Sequence, residues 1–511
     1  MKTIKYFILA FSAVLVSLVP QCCTPENNAG NGASVPLDID RTALEFSAAG
    51  GEQAFTAVTS ERLYVVPGAD WITVSSSAAE EAGKYVVTVT AYANTVREER
   101  STRVSVVAGD EKKYVEVRQE AKGDDPVPEP TENAAWQVMR KLGMGWNLGN
   151  QLDAHNNGVA GETFWGNPKA AQALFDKLKE AGYRSVRIPV TWLGHIGEAP
   201  GYEIDAAWLD RVAEVVGYAE NAGLNAIVNI HHDGGDSKYW LDIKTAALNE
   251  DVNAKVKEQI AAMWTQIAER FADKGDFLIF ESFNEIHDGG WGWGSNRTDG
   301  GRQYRCLNEW NQVFVDAVRA TGGNNSSRFL AVPGYCTNVE LTIENFEMPS
   351  DKVRDRIIVA VHYYDPSEYT LTAKYSEWGH TAAAGKAAPG SGEEQVKAAF
   401  AKLYDKYVSG GIPVYLGEMG CVNRASDREQ AFQQYWFEYV VKAAKTYGMA
   451  PFVWDNGASG AGEERHAFIN HGTGEYCSDG ARKAVEAMTR AMNEEDASYT
   501  LESVYENAPG K

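Results

Sequence analysis

Two glutamates carry the chemistry for which this sequence can be read. Glu285 closes the stretch FLIFESFNE, residues 277–285, and Glu418 closes IPVYLGE, residues 412–418. Each follows a short apolar run, and a run apolar on both faces suits a parallel strand buried between other layers. A carboxylate at the end of such a strand is costly to bury unless something holds it there. Two of them on parallel strands suit glycosidic-bond cleavage, in which one protonates the leaving oxygen while the other attacks or activates water. In the retaining form of that reaction the two carboxyl groups stand roughly 5 Å apart. Either residue alone could be a strand cap in a solvated loop; its repetition on a second strand weighs against that.

The elements that must bring the pair together begin near Trp136, where strands and helices alternate. A helix ending at Gly182 runs into SVRIPV, one ending at Gly223 into NAIVNIH, one ending at Gly410-Gly411 into IPVYLGE, and one ending at Gly448 into APFVWD. In NPKAAQALFDKLKEAG the sequence predicts Asn167 as N-cap, Pro168 at the first helical position, and Ala171, Leu174, Phe175 and Leu178 as the apolar stripe. Repeated helix–glycine–strand units make a parallel sheet with right-handed crossovers. Eight strands are expected, at 144–148, 185–189, 225–231, 277–285, 329–333, 357–364, 413–418 and 450–455. That count implies the α/β fold of a (β/α)8 TIM barrel with enlarged loops. An open doubly wound sheet is the alternative, but no glycine-rich phosphate loop follows the first strand.

Polar residues gather at the C-terminal ends of these strands: Arg187, His231 and His232, Asn284 and Glu285, His362 and Tyr364, Glu418, and Trp454. In a barrel all of them face one basin. Glu418 suits the nucleophile, kept ionised by Arg187 and the Tyr364 hydroxyl. Glu285 suits the acid and then the base, for which burial or the charge of Glu418 should raise its pKa. Asn284 can bond a sugar 2-hydroxyl, Trp454 offers a flat face, and His231 and His362 would position substrate and carboxylates. His231-His232-Asp233 alone could suggest a metal site. Such a site needs a third imidazole or a neighbouring carboxylate, for which His362 and Glu418 could nominally serve, and no metal or cofactor is expected. A Ser–His–Asp hydrolase is disfavoured because no G-x-S-x-G elbow follows a strand.

The same residues resemble glycoside hydrolase family 5, within the retaining hydrolases of clan A. The family's eight recurrent site residues match Arg187, His231, Asn284, Glu285, His362, Tyr364, Glu418 and Trp454, in order and on the corresponding strands, over roughly residues 134–495. MGWNLGNQLDA, TFWGNP and WDNG further resemble subfamily 4 endoglucanases and xyloglucanases. After the fourth strand, IHDGGWGWGSN carries Trp291 and Trp293, expected to stack leaving-side sugars; His155, Trp165, Trp240 and Trp378 are weaker candidates. Aromatics spread over several loops imply an open cleft and endo action. Glycine-rich edges leave room for a branched backbone, so xyloglucan is favoured, with linear and mixed-linkage β-glucan, xylan and mannan open. A glycan-capture protein with a silent barrel is the rival reading, and it has no need of both glutamates.

The chain has 511 residues, 44% hydrophobic and 23% charged, enough for two or three domains. Its net charge of −22 argues against nucleic acid and is compatible with a neutral polysaccharide. Residues 1–21 read as an export signal, with Lys2 and Lys5 before an apolar run too short to span a bilayer. The following cysteine resembles a bacterial lipoprotein signal, with Cys22 favoured over Cys23 for lipidation, which implies outer-membrane anchoring and surface display; a monomer is expected. A polar tether (22–34) precedes short alternating strands over 35–122, which imply a small all-β, immunoglobulin-like sandwich. ADWITVS, YANTVREER and VRQEA resemble the BACON domain of Bacteroidetes surface proteins, a family proposed to bind carbohydrate. Trp71 alternates with inward-facing residues and is expected in the core. The proline-alternating segment 123–133 reads as a semi-rigid linker to the catalytic domain, 134–511. Cys306, Cys336, Cys421 and Cys477 form no Cys/His metal spacing and are expected to be buried free thiols. A spacer role for the sandwich predicts that isolated residues 33–122 migrate unretarded in affinity electrophoresis on soluble glucans and are not retained on insoluble ones.

Overall fold

Along residues 38–119, buried and exposed side chains alternate, and the strands pack as two four-stranded sheets. One holds Asp38–Ile39, Gly51–Val58, Lys84–Ala91 and Ile72–Ala78; the other holds Ala43–Phe46, Glu111–Gln119, Arg100–Ala108 and Leu63–Pro67. Phe55, Val87, Val89, Val104, Val106, Val115 and Val117 fill the space between them. The strand Leu63–Pro67 is not among those anticipated from the sequence; its exposed Tyr64 and Val66 blur the pattern. Trp71 packs half-buried against this core, with the Arg100 guanidinium 4.6 Å from its ring centre. Tyr64 and Tyr114 are exposed, but Arg62 lies over the first ring and Arg103 and Lys112 over the second. This is a computed structural model, and it describes residues 35–94, 98–122 and 133–510. The signal segment, Cys22, Cys23, the tether and all but the last residue of the linker lie outside the described residues. The chain divides into two units at Pro126/Val127.

In the second unit eight parallel strands close into a barrel: Gly145–Leu148, Ser185–Ile188, Asn225–Asn229, Leu278–Glu281, Leu330–Asn338, Ile357–Tyr363, Val414–Met419 and Ala450–Asp455. Period two then sorts their side chains. Val186, Val228, Phe280, Val359, Leu416 and Val453 point outward to the helices. Ile227, Ile279, Ala331, Ile358, Ala360, Tyr415, Ala450 and Phe452 point inward, joined at the base by Val138, Met139 and Leu142 of the helix Ala134–Leu142. Gly145 is glycine for a packing reason: a Cβ there would stand 2.2 Å from the Phe452 ring, which fills the interior.

Two local expectations are corrected. The fourth strand stops at Glu281, and the chain turns so that the Asn284 N–H bonds Ile230 O (3.0 Å) beyond the third strand. Helix Gln172–Glu180 starts later than anticipated, with Ala171 as an exposed N-cap and no side-chain cap bond. The Asn167 amide instead donates to Gly149 O, Asn150 O and Asn456 O, tying the first barrel loop to the last. Long-range carbonyls outcompete the local cap. Of the four cysteines Cys477 is exposed and the other three buried, and all are free. Gly145→Ala is expected to cost about 1–3 kcal/mol by overpacking against Phe452, read as a lowered denaturation midpoint of the barrel with an unchanged m-value.

Candidate active site

Two residues along from the apolar plug, at the next inward position of each strand, the barrel interior turns polar. Arg187, from the second strand, is fully buried and donates from Nε to Glu281 Oε2 (2.8 Å), from Nη1 to Glu418 Oε1 (2.8 Å) and Asn147 Oδ1 (3.0 Å), and from Nη2 to Asn284 Oδ1 (2.7 Å). Glu281 also accepts from Asn229 Nδ2 (2.8 Å) and from the Tyr415 hydroxyl. Burial alone would lower the guanidinium pKa, but Glu281 and Glu418 outweigh it and raise it. The cation is therefore permanent. Asn147, Asn229, Glu281 and Tyr415 were not singled out from the sequence. An acid at period two from Ile279, inside an apolar strand, was the available signal.

Above this layer sit the two carboxylates. One oxygen of Glu285, one of Glu418 and a ring nitrogen of His362 all lie within 4.8 Å of one another. Glu418 is held by Arg187 and by the Tyr364 hydroxyl (3.0 Å to Oε2). Glu285 pairs with His362 Nδ1 at 2.7 Å, and the Thr337 hydroxyl approaches at 3.4 Å. Thr337 and its neighbour Cys336 adopt left-handed backbone, φ 48° and 54°, a cost of the kind that collects at active sites. Burial pushes the Glu285 carboxyl up, but the His362 hydrogen bond and the fields of His362, His287 and Arg187 outweigh it. Its pKa lies below the usual range, contrary to the expected rise.

His231 is buried and stays neutral: burial, then His232 and Arg187, hold its pKa well down. Asn229 fixes its tautomer. The Asn229 carbonyl accepts from Val190 N and its amide donates to Glu281, so that same amide can only donate to His231 Nδ1 (3.1 Å). The ring proton then sits on Nε2, 3.9 Å from Glu418 Oε1. Asp153, His231 and His232 also bring potential ligand atoms within 4.8 Å, but a protonated Nε2 has no lone pair for a metal.

Around the basin the aromatic residues part into different roles. Trp454 lies parallel to His231 (6.0 Å, 1°), His231 meets His232, and His232 meets His155 and the exposed Trp165. These rings line the side of the eighth, first and third strands. Over the fourth strand's loop Trp291 and Trp293 are 57% and 80% exposed. Trp240 is half-buried, its indole N–H bonded to Asp233 Oδ1 (2.8 Å), so it braces the His231-His232-Asp233 turn. Trp378 is fully buried against Tyr435 and Tyr439. It cannot meet a sugar, and that assignment is withdrawn. A tryptophan in a long loop segment looked exposed; the helix Asp427–Thr446 covers it.

The profile of cellulase, glycosyl hydrolase family 5, matches residues 152–460, more than half of the chain. The chain belongs to glycosyl hydrolase family 5. Residues 60–120 match BACON, a putative N-terminal binding domain. This family 5 chain is 32% identical over 468 residues to the xyloglucan-specific endo-beta-1,4-glucanase of Bacteroides ovatus, covering 87% of this chain and 90% of that one. It is 38% identical over 343 residues to endoglucanase A of Paenibacillus barcinonensis, covering 64% and 83%. Among solved structures, a GH5-4 broad specificity endoglucanase from Bacteroides salanitronis is 60% identical, with a TM-score of 0.70, covering 73% of this chain and 99% of that one.

The Glu285–His362 bond makes a signed prediction for this family 5 site. Burial raises the Glu285 pKa while His362, His287 and Arg187 lower it, so His362→Ala removes the hydrogen bond and field of His362 and shifts the balance towards burial. The basic limb of the kcat/KM profile should move to higher pH while the maximum falls. A limb that stays or moves down contradicts the assignment.

Proposed function

We propose that this chain is an endo-acting β-1,4-glucan hydrolase that cleaves with retention through a covalent glycosyl–enzyme ester. The observation that carries the reading is the approach of the Glu285 and Glu418 oxygens to within 4.8 Å. Retaining pairs stand about 5–5.5 Å apart and inverting pairs roughly 6.5–9.5 Å, the latter leaving room for a water. In the first step Glu418 attacks the anomeric carbon, the bond to the leaving oxygen breaks, and Glu285 delivers its proton to that oxygen. In the second, water attacks the same carbon, Glu285 takes its proton, and the ester to Glu418 breaks. Arg187 holds Glu418 and Asn284 in one fork, so the nucleophile and the donor for the sugar 2-hydroxyl are set together. Ring faces on both sides of the carboxylates support chain binding across the cut, hence endo action.

For substrate, the exposed and glycine-flanked Trp291 and Trp293 support a cleft that tolerates a decorated backbone. The 60%-identical Bacteroides salanitronis protein is a broad specificity endoglucanase, whereas the Bacteroides ovatus relative, at 32% identity, is xyloglucan-specific. Both favour xyloglucan together with linear β-1,4-glucans over strict xyloglucan specificity. The export signal and Cys22 support a lipid-anchored outer-membrane protein displayed towards polysaccharide.

Product release by residues 24–511 on xyloglucan, carboxymethylcellulose, barley β-glucan, xylan and mannan tests the substrate reading, with comparable rates expected on the first three. Activity confined to xyloglucan would restore strict specificity. Glu418→Gln should lower turnover by about 10⁴-fold or more while leaving binding intact, and unchanged hydrolysis would remove it as nucleophile. Glu285→Ala should recover on aryl cellobiosides with good leaving groups, and full activity on every substrate would remove it as the acid.

A further inference from the structure

Two residues beyond Glu285, His287 is a buried imidazole that neither the family comparison nor the proposed reaction uses. Its surroundings are specific. The Gly289 N–H donates to Nδ1 (3.0 Å), which leaves the proton on Nε2, 3.5 Å from Asp236 Oδ1. The Ser237 hydroxyl donates to the His287 carbonyl (3.0 Å). On the outer side the Trp291 indole lies against the ring, centre to centre 4.3 Å at 35°, while remaining more than half exposed.

Three non-glycine residues around His287 adopt left-handed backbone: Asp236 (φ 59°), Ser237 (φ 61°) and Trp291 (φ 50°). Each is a conformation that persists only where surrounding contacts over-determine it, and here all three converge on one imidazole. The rest of the loop is pinned independently. Asp288 accepts from Gly290 N, Ser295 N and the Ser295 hydroxyl, and its own N–H bonds the Tyr335 hydroxyl. Arg297 donates to Gly292 O and covers Trp293. Trp291 is thus fixed from beneath by His287, whose backbone is rigidly offset from Glu285.

We propose that His287 is a positioning residue that couples the Trp291 indole to the acid/base carboxyl of Glu285, with Asp236 holding the imidazole in place. A sugar stacked on Trp291 is a leaving-side sugar, whose glycosidic oxygen must receive the Glu285 proton. Through His287 the platform and the proton donor are parts of one rigid body, so a sugar seated on Trp291 presents that oxygen at a defined distance from Glu285. This rests on the reading of Glu285 as acid and Trp291 as a leaving-side contact.

The test compares His287→Ala, His287→Asn, Trp291→Ala and the His287→Ala/Trp291→Ala double variant on barley β-glucan and on 2,4-dinitrophenyl β-cellobioside. The aryl substrate places no sugar on the leaving side and needs no acid. The expected result is a roughly 10–100-fold loss of kcat/KM on the polymer in His287→Ala, as for a misplacement of about 1 Å. On the aryl substrate the loss should be less than about threefold, and the double variant should be no worse than Trp291→Ala. His287→Asn, whose amide can still donate towards Asp236, should keep an intermediate rate. Equal losses on both substrates, or additive losses in the double variant, would overturn the coupling and leave His287 a folding residue. An unchanged polymer rate in His287→Ala beside a large loss in Trp291→Ala would also overturn it, leaving the leaving-side reading intact. An unchanged polymer rate in Trp291→Ala would overturn that reading and the proposal together.

Discussion

A guanidinium with no access to water sits at the middle of this barrel, and its need for partners organises the site. Removing a charge from water costs several kcal/mol, recovered only when its hydrogen bonds are satisfied with good geometry. Arg187 meets that demand with donors to Glu281, Glu418, Asn147 and Asn284, side chains that come from or just beyond the fourth, seventh and first strands. Glu281 is the structural counter-ion, buried and locked by Asn229 and Tyr415. With that anion present, Arg187 is not consumed by Glu418, which keeps a second oxygen for Tyr364 and reaction. The ion pair stabilises the fold only modestly; its consequence is positional.

The barrel makes this possible through its two-residue period. Inward positions on successive strands form levels: an apolar plug around Ile227, Ile279 and Phe452, then Asn147, Arg187, Asn229 and Glu281, then the reacting groups. The low-dielectric plug beneath and the fixed dipoles of the middle level mean that little has to reorganise when charge develops at the sugar. His231 contributes through a tautomer imposed by Asn229, and His362 through its hydrogen bond to Glu285.

The rim of the basin is held differently. The loops beyond the strands hold their tryptophans by contacts within and between loops, such as Asp288 to Ser295 and His287 to Trp291. The two carboxylates are therefore set by the sheet, and the exposed rings by loops that can vary without disturbing it. In the N-terminal unit, cation-covered tyrosines and a half-buried Trp71 match a packing role better than an open sugar platform.

Sequence alone determined the fold class, the eight strands and the pair of glutamates that the barrel brings together, because period, helix-ending glycines and carboxylates after apolar runs are local signals. It carried the identity of Arg187, His231, Asn284, His362, Tyr364 and Trp454 as well, since each falls at a strand end. What only the tertiary structure decided depends on residues far apart in the chain. Asn167 was read as a cap but clamps Asn456, and Trp378 was read as a surface ring but lies beneath Tyr435. Glu281 passed as one more strand residue until Arg187 was found beside it. The lowered Glu285 pKa has the same origin: local sequence implies burial, while the opposing hydrogen bond comes from His362, two strands away. Local periodicity fixes which face a side chain presents; only closure of the barrel fixes what it meets there.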